Sequence, residues 1–218
     1  MTRWLQRRRL KDPAYGFLFE PGAEDEAVSL DCETTGLNRR KDEIVSIAAV
    51  PIRGGRVLTS EAFTATVRSL ATPDPASIKI HGLRARDIAS GRALADTLPA
   101  LLRFIGGRPL VGYYLEFDLA MIDRYVKPWL GVRLPNPRID VSGLYYARKY
   151  GDAPLGARLD LGFPAIARDL GLDLAGRHDA LADATLTALM YVMLKSMAQR
   201  GVRIPRYASG STLAGAKA

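Results

Sequence analysis

The stretch Val28–Gly36, V-S-L-D-C-E-T-T-G, constrains the fold of this chain more than any other feature of its sequence. Apolar and polar residues alternate along its first half, which predicts a short β-strand with one face on a core. Because side chains at i and i+2 share a face of a strand, Asp31 and Glu33 project together, away from the apolar residues of the strand. The following Thr34–Gly36 predicts a sharp turn that presents backbone N–H groups to a ligand.

Two neighbouring carboxylates repel each other, and a fold normally protonates one of them or avoids the pair. A divalent cation removes this conflict, because Mg²⁺ and Mn²⁺ prefer hard oxygen ligands. The alternative interpretation of Asp31 and Glu33 is an edge strand with a solvated acidic face. Further carboxylates elsewhere in the chain decide between the two.

The bulk composition fits a single domain that handles a polyanion. The chain has 218 residues, 48% of them hydrophobic, which is enough for one substantial core. Its net charge of +8 favours a phosphate-bearing partner, since a positive surface gathers a nucleic-acid backbone. Cys32 is the only cysteine, which excludes an internal disulfide, and we expect a buried, inert thiol rather than a nucleophile. His81 and His178 are the only histidines available as a general base.

The sequence shows no sign of a membrane or secretory role. No apolar run is long enough to span a bilayer, and the basic Arg7–Arg9 is not followed by the apolar region of a signal peptide. We therefore expect no membrane partner and a cytoplasmic location. The oligomeric state is not predicted.

Three regions are expected along the chain: an N-terminal arm over residues 1–26 whose aromatic residues dock on the body, a main domain over 27–202, and a flexible tail over 203–218. The main domain begins with three strands and continues with alternating helices and strands, which predicts an α/β fold with a mixed sheet. The predicted elements after the first strand are strands over Glu43–Ile52, Arg56–Val67 and Pro109–Tyr113, a hairpin turn over Arg53–Gly55, and helices over Leu94–Ile105, Phe117–Trp129, Val141–Tyr150, Pro164–Leu170 and Ala180–Arg200.

Two further acidic positions stand out by their context. Asp118 follows a buried strand and sits in the first turn of the next helix, where the alternative is an acid that only stabilises the helix dipole. Asp183 lies among small and apolar residues of the long last helix, and a carboxylate on such a face needs a partner or a metal. His178 lies about one helical turn earlier and leans over the same site, whereas Asp179 is predicted to cap the helix.

Taken in order, D-x-E-T-T-G, a strand–helix F-D and an H-x-x-x-x-D that opens an Ala-rich helix resemble the DEDDh family of 3′–5′ exonucleases. That family includes the epsilon proofreading subunit of bacterial DNA polymerase III, RNase T and oligoribonuclease. The resemblance covers about residues 27–200. Ile80-His81-Gly82, Ile139-Asp140 and His178–Ala184 match smaller motifs of the family.

The resemblance implies a ribonuclease H-like fold, with a five-stranded mixed sheet whose second strand is antiparallel and helices on both sides. It also implies two divalent metal ions, Mg²⁺ or Mn²⁺, held by Asp31, Glu33, Asp118 and Asp183. Two such ions clamp the attacking and leaving oxygens of phosphodiester hydrolysis. His178 is implied as the general base, since its unperturbed pKa of about 6.5 suits proton transfer near neutral pH.

The substrate-side residues that the resemblance implies are Thr34, Thr35, Gly36, His81, Tyr114 and Phe117. His81 is the weakest of these, because a histidine on a turn is more often structural. The chain departs from the family at Tyr113-Tyr114, where His-Asn is common. Tyr114 either stacks on a base, worth about 1–3 kcal/mol, or simply packs.

The sequence thus predicts a metal-dependent 3′–5′ exonuclease that releases nucleoside monophosphates from single-stranded or frayed 3′ ends, with DNA preferred and a proofreading or repair role. A 3′ RNA-trimming exoribonuclease is the alternative substrate class. A different functional class is a nucleic-acid-binding module associated with a DNA polymerase, in which hydrolysis is secondary. A purely structural domain with solvated acids is a third hypothesis.

Overall fold

The computed structural model describes residues 3–69, 71, 77–78, 82–152, 154, 156, 158–174 and 178–206. A central sheet is formed by β1 (Glu26–Thr34), β2 (Ile44–Arg53), β3 (Arg56–Val57), β4 (Phe63–Thr66), β5 (Leu110–Gly112) and β6 (Arg138–Asp140). The strand order is β3-β2-β1-β5-β6, and β4 also pairs with β2. The strand that carries Asp31 is therefore the middle strand of the sheet.

The sheet is mixed, as predicted. β1 runs antiparallel to β2, with Asp31 opposite Ala48, and parallel to β5, with Val28 opposite Leu110. β5 in turn runs parallel to β6, where Gly112 lies opposite Asp140. The antiparallel second strand expected from the family resemblance is confirmed. Strands β1, β5 and β6 thus end at the same edge of the sheet, where functional residues of α/β proteins commonly gather.

The helices of the described residues are α1 (Arg3–Arg7), α2 (Ala85–Ala89), α3 (Leu94–Ile105), α4 (Glu116–Leu130), α5 (Val141–Lys149), α6 (Phe163–Asp169) and α7 (Ala180–Gln199), with 3-10 helices over Pro13–Phe19 and Thr59–Glu61. The longer ones lie where the sequence predicts them. Asp179 caps the start of α7, and its carboxylate accepts hydrogen bonds from the N–H groups of Leu181 and Ala182, so the predicted cap is confirmed. No helix in this part of the chain has the length and hydropathy of a membrane-spanning segment.

Two strands differ from the sequence prediction. The predicted strand over Arg56–Val67 is divided into β3 and β4 by the 3-10 turn Thr59–Glu61, so the described sheet has six strands rather than five. The hairpin before it is as expected, with positive φ angles at Gly54 and Gly55. β6 was not predicted, because three residues after a proline pair carry no periodic pattern, and only pairing with β5 makes them a strand.

The sheet separates two large hydrophobic clusters, and a third, small one is formed by Ala48 and Val50 of β2 with Ala180 and Ala184 of α7. Leu30, Leu102 and Ile122 belong to the cluster on the side of α3 and α4. Tyr145 and Met190 belong to the cluster formed with α5, α6 and α7. The apolar residues of β1 that alternate with its acids all lie in the first cluster, so the alternation predicted from sequence is present. Cys32 is a buried free thiol, also as predicted.

The N-terminal arm packs into the first cluster. Tyr15 and Leu18 are buried, and the Tyr15 ring meets the edge of Trp129 with ring centroids 4.9 Å apart. The arm backbone then passes directly over Gly107, where a Cβ atom would lie 1.6 Å from the carbonyl oxygen of Glu20. Only glycine fits at that crossing. The boundaries proposed for the arm, the main domain and the tail stay predictions, and residues 207–218 lie outside the described residues.

Candidate active site

Three of the four predicted acidic residues meet at the end of β1. Asp31 and Glu33 project from the same face of the strand, and Asp183 approaches from the first turn of α7. One carboxylate oxygen of each lies within 4.8 Å of the other two, and all three residues are partly buried. Residues separated by about 150 positions in sequence are thereby brought to within the reach of a single cation.

Asp118 approaches the same strand end from the other side of the sheet. It is buried in the first turn of α4, and its Oδ1 accepts a hydrogen bond of 3.2 Å from the backbone N–H of Cys32. That bond fixes the carboxylate next to Asp31. Asp118 is not one of the three residues whose oxygens lie within 4.8 Å of one another. It is adjacent to them and more deeply buried.

The carboxylates of the site disfavour one another's ionisation. Burial raises the pKa of Asp31 well above its usual range, and the neighbouring Asp118, Glu33 and Asp183 raise it further. Burial likewise raises the pKa of Asp118 to about 8, although the hydrogen bond from Cys32 opposes the shift. A bound divalent cation reverses this logic by favouring the ionised carboxylates. Clustered hard oxygen donors of this kind fit Mg²⁺ or Mn²⁺.

His178 lies in the turn that leads into α7. Its backbone takes a left-handed conformation with φ of +73°, which is uncommon for a residue other than glycine. Its N–H group lies 3.3 Å from Oδ2 of Asp183 and donates a hydrogen bond to it. The main chain of His178 is thus anchored to one of the clustered carboxylates, which places this histidine at the edge of the site. Its role as a general base stays a prediction.

The turn after β1 is held by its own side chains. The Thr34 hydroxyl donates to the carbonyl of Gly36 at 2.6 Å, and the Thr35 hydroxyl donates to Oδ1 of Asp42 at 3.2 Å while accepting from the N–H of Glu43. A Cβ atom at Gly36 would lie 2.5 Å from Oδ2 of Asp42. Both hydroxyls therefore shape the turn in this structure. That these three residues contact a nucleotide stays a prediction.

The aromatic candidates differ in accessibility. Tyr114 is 54% exposed and has a left-handed backbone with φ of +50°. The ring of Tyr113 lies beside it, with centroids 4.5 Å apart, and is itself anchored by a hydrogen bond to the carbonyl of Leu161. Phe117 packs half-buried on the first cluster, and the Arg39 guanidinium lies over its ring. Tyr114 therefore offers an open ring face near the site. His81 lies outside the described residues.

One residue that supports the site received no role from the sequence. Asp140 ends β6, and its carboxylate accepts hydrogen bonds from the N–H of Leu115 at 3.0 Å and of Ser142 at 2.9 Å. It thereby ties the start of α4, which carries Asp118, to the start of α5. An Asp just before a predicted helix is a helix-cap signal, so the cap to α5 was visible in the sequence. The hydrogen bond from Leu115 depends on tertiary structure and could not be predicted from the sequence.

Comparison with known proteins agrees with this geometry. Residues 28–191 match the RNase T family model, which is described as Exonuclease. The epsilon subunit of DNA polymerase III from Aquifex aeolicus (strain VF5) is 29% identical over 167 residues, which cover 77% of this chain and 79% of that protein. A PolC-type DNA polymerase III from Thermotoga maritima is 28% identical over 177 residues, but these cover 79% of this chain and only 12% of that polymerase.

Solved structures with the same fold include nucleases bound to DNA. Exonuclease I of E. coli in complex with a dT13 oligonucleotide matches with a TM-score of 0.65 and 18% identity over 81% of this chain and 42% of that chain. Exonuclease X in complex with 5′ overhanging duplex DNA matches with a TM-score of 0.58 and 21% identity, over 82% of this chain and 95% of that chain. These similarities confirm the ribonuclease H-like fold.

The family match extends over most of the chain and includes all four clustered acids together with His178. The chain therefore belongs to this exonuclease family and is a 3′–5′ exonuclease.

Proposed function

We propose that this chain removes nucleoside monophosphates one at a time from the 3′ end of single-stranded or frayed DNA, using two divalent metal ions and His178 as the general base. The observation that carries the proposal is the convergence of the Asp31, Glu33 and Asp183 oxygens within 4.8 Å, with Asp118 fixed beside them. Asp118 and Asp183 are far from the Asp31–Glu33 pair in sequence, and only the fold brings these three segments together.

The acidic residues divide into two ligand groups around Asp31. Glu33 and Asp183 would hold one Mg²⁺ or Mn²⁺ together with Asp31, and the buried Asp118 would help to hold the second. When bound, two such ions stabilise the charge that develops on the attacking and leaving oxygens of the phosphodiester. The residues of the chain fix the position of the scissile phosphate, since strand β1 and the starts of α4 and α7 are rigid elements.

His178 is proposed to accept the proton of the attacking water. Histidine is the side chain that most often acts as a general base. The hydrogen bond from its backbone to Asp183 keeps the histidine beside a metal-binding carboxylate. This tether limits how far the base can move from the water that the site activates, which supports proximity as part of its effect.

DNA is proposed as the preferred substrate because the relatives and structural neighbours point to it. The relatives are named as DNA polymerase III proteins, and the solved structures hold a dT13 oligonucleotide or duplex DNA. The net charge of +8 suits any nucleic acid. Tyr114, with its exposed ring, is proposed to stack on a base near the 3′ end, an interaction that does not depend on base identity.

The test is degradation of 5′-labelled single-stranded DNA and RNA of matched sequence, with Mg²⁺, Mn²⁺ or EDTA. We expect a ladder that shortens from the 3′ end, is absent in EDTA, and appears faster on DNA. Asp183→Asn should remove the ladder, whereas Glu24→Gln, which alters an exposed acid before the start of β1, should not. Faster degradation of RNA would overturn the DNA preference, and a ladder that persists in EDTA would overturn metal dependence.

A second candidate function is a module that works on a DNA polymerase, favoured by the names of the relatives. The exposed Arg7–Arg9 of the arm is the segment proposed to contact a partner. Deleting the arm is a poor test, because Tyr15 and Leu18 belong to the core. Neutralising the three arginines by Gln leaves the core intact. Loss of co-purification with a polymerase, at unchanged nuclease activity, is the result expected of such a module.

A further inference from the structure

The outer face of α4 carries a basic groove of about 370 Å³ that has no part in the proposed catalytic mechanism. Its cationic lining consists of Arg39, Arg124, Lys127, Arg133 and Arg138. We call it the α4 groove. Five cationic side chains around one depression on a small domain are a strong local field, and such fields raise the local concentration of anions.

The carboxylates of the α4 groove do not neutralise it. Glu116 is engaged by Arg138 at 2.7 Å, and the buried Asp123 accepts the N–H of Leu134 at 2.8 Å. Among the residues that the structure describes, no carboxylate lies within 4.0 Å of the charged groups of the other four cations, Arg39, Arg124, Lys127 and Arg133. The surplus positive charge is therefore available to a ligand.

Two of these guanidinium groups are already held in place. Arg124 donates hydrogen bonds to the carbonyl oxygen of Arg39 at 3.1 Å and to the Tyr125 hydroxyl at 2.8 Å. Arg39 in turn stacks over Phe117, with its guanidinium carbon 5.6 Å from the ring centroid. A fixed guanidinium retains further N–H donors and loses little side-chain entropy when an anion binds, which suits phosphate recognition.

One end of the α4 groove is close to Asp118 along the helix. Arg39, which lines the groove, lies over the ring of Phe117, and Phe117 directly precedes Asp118 in the first turn of α4. From Phe117 to Lys127 the helix rises about 15 Å, since each residue adds about 1.5 Å. Asp118 and the groove residues occupy different faces of α4, so a ligand that reaches both must bend around the first turn of the helix.

The geometry points to the α4 groove as the binding site for the phosphodiester backbone of the substrate strand on the 5′ side of its terminal nucleotide. This inference rests on the proposed function, because it assumes that the acidic cluster binds the 3′ end of a polynucleotide. The metals and acids then engage only the terminal residue, while Arg39, Arg124, Lys127 and Arg133 bind phosphates further along the strand. The groove thereby selects polymers over short products.

The test compares a long ligand with a dinucleotide. Lys127→Gln/Arg133→Gln removes two exposed cations that have no catalytic role, and Arg103→Gln/Arg200→Gln removes two exposed cations from α3 and from the end of α7 as the matched control. Affinity is measured for a hydrolysis-resistant phosphorothioate DNA of about 12 nucleotides, a length in the range of single-strand binding sites. Hydrolysis of an unmodified dinucleotide is measured in parallel.

We expect the groove variant to bind the long DNA roughly 10-fold more weakly at low salt, with a slope of log K against log salt reduced by about 1–2, while the control keeps the wild-type values. Dinucleotide hydrolysis should be unchanged in both variants. Unchanged binding in the groove variant, or an equal loss in the control, overturns the inference. The inference is also overturned if Lys127 and Arg133 are needed to bind an oligoglutamate peptide but not to bind DNA.

The two proposals fail in different ways. A wild-type protein that hydrolyses no nucleic acid with either metal contradicts the proposed function. Affinity for the phosphorothioate DNA requires no hydrolysis, so it reports on the α4 groove separately. A wild-type enzyme that is active while the groove variant binds long DNA normally contradicts the groove alone.

Discussion

Within the described residues, a partly buried cluster of acids contrasts with a buried cluster that contains both signs of charge. In the first, Asp31 and Asp118 meet at the end of β1 with other acids, and burial raises the pKa of both. In the second, between α5 and α6, Lys149 binds the carboxylate of Asp169 and the hydroxyl of Tyr145, which itself donates to Asp169 at 2.6 Å. Both clusters lie beneath helices that flank the same sheet.

The difference lies in where the compensating charge comes from. The lysine cluster contains both signs, so its charges are satisfied within the chain, and burial together with the Asp169 hydrogen bond raises the pKa of Tyr145 and keeps it protonated. In the acidic cluster, no lysine or arginine of the described residues forms an ion pair with Asp31 or Asp118. A cluster whose charges are paired within the chain needs no ligand, whereas a cluster of like charges is a candidate site for an external cation.

The largest expected effect is on hydrolysis when the acidic cluster loses its central member. Asp31→Asn keeps the side-chain shape but removes the charge shared by both proposed ions. We expect the rate of DNA hydrolysis to fall at least roughly 10⁴-fold, because residues that act as a catalytic unit fail together. The free energy of unfolding of the metal-free protein should rise, since crowded charge is relieved. Clear residual activity in this variant contradicts the two-metal mechanism.

His178→Ala tests the proposed base. Turnover should fall roughly 10²–10⁴-fold, the usual contribution of general acid–base catalysis. Metal affinity, measured by calorimetry, should be unchanged, because the hydrogen bond to Asp183 comes from the backbone of residue 178. If metal affinity falls instead, His178 is a ligand and not a base.

Lys149→Met tests the self-contained cluster and should act with the opposite sign on stability. It leaves the buried carboxylate of Asp169 with only the exposed Arg168, whose Nε lies 4.0 Å from Oδ1, and the loss of a buried partner destabilises a protein by about 3–5 kcal/mol. Urea unfolding measures the loss, and Arg103→Met on the exposed face of α3 provides the control. At temperatures where the variant is folded, turnover and metal affinity should match the wild type. A loss of metal affinity would show that the two clusters are coupled.

The smallest effect concerns the pH dependence of the metal-free protein. The pKa of Asp118 is about 8 in the folded state, above its usual value of about 3.9 in an unfolded chain. Its contribution to stability is therefore complete below about pH 4 and is lost as pH rises toward 8. In EDTA we expect the free energy of unfolding to fall by roughly 1–3 kcal/mol between about pH 5 and 8. Saturating Mg²⁺ should abolish the decline, and a rise with pH would contradict the raised pKa.

The sequence predicted those parts of the site that depend on local periodicity. The side-by-side placement of Asp31 and Glu33 follows from the alternation of a strand, and the cap at Asp179 follows from helix chemistry. The division of the predicted third strand into β3 and β4 and the pairing of β6 do not follow from local periodicity, because both depend on contacts with neighbouring strands. The same holds for the bond from Asp140 to Leu115 and for the α4 groove, whose cations lie on a loop, a helix and a strand.

The crossing of the arm over Gly107 has an evolutionary consequence. A side chain at position 107 collides with the backbone of Glu20, so the glycine and the arm form one heritable unit. A larger residue at position 107 is incompatible with the arm in its present place. A lineage that lost the arm would no longer need glycine at this position. Descendants of this protein should therefore keep the glycine and the arm together or lose both. A related sequence with another residue at position 107 should have no N-terminal arm that crosses there.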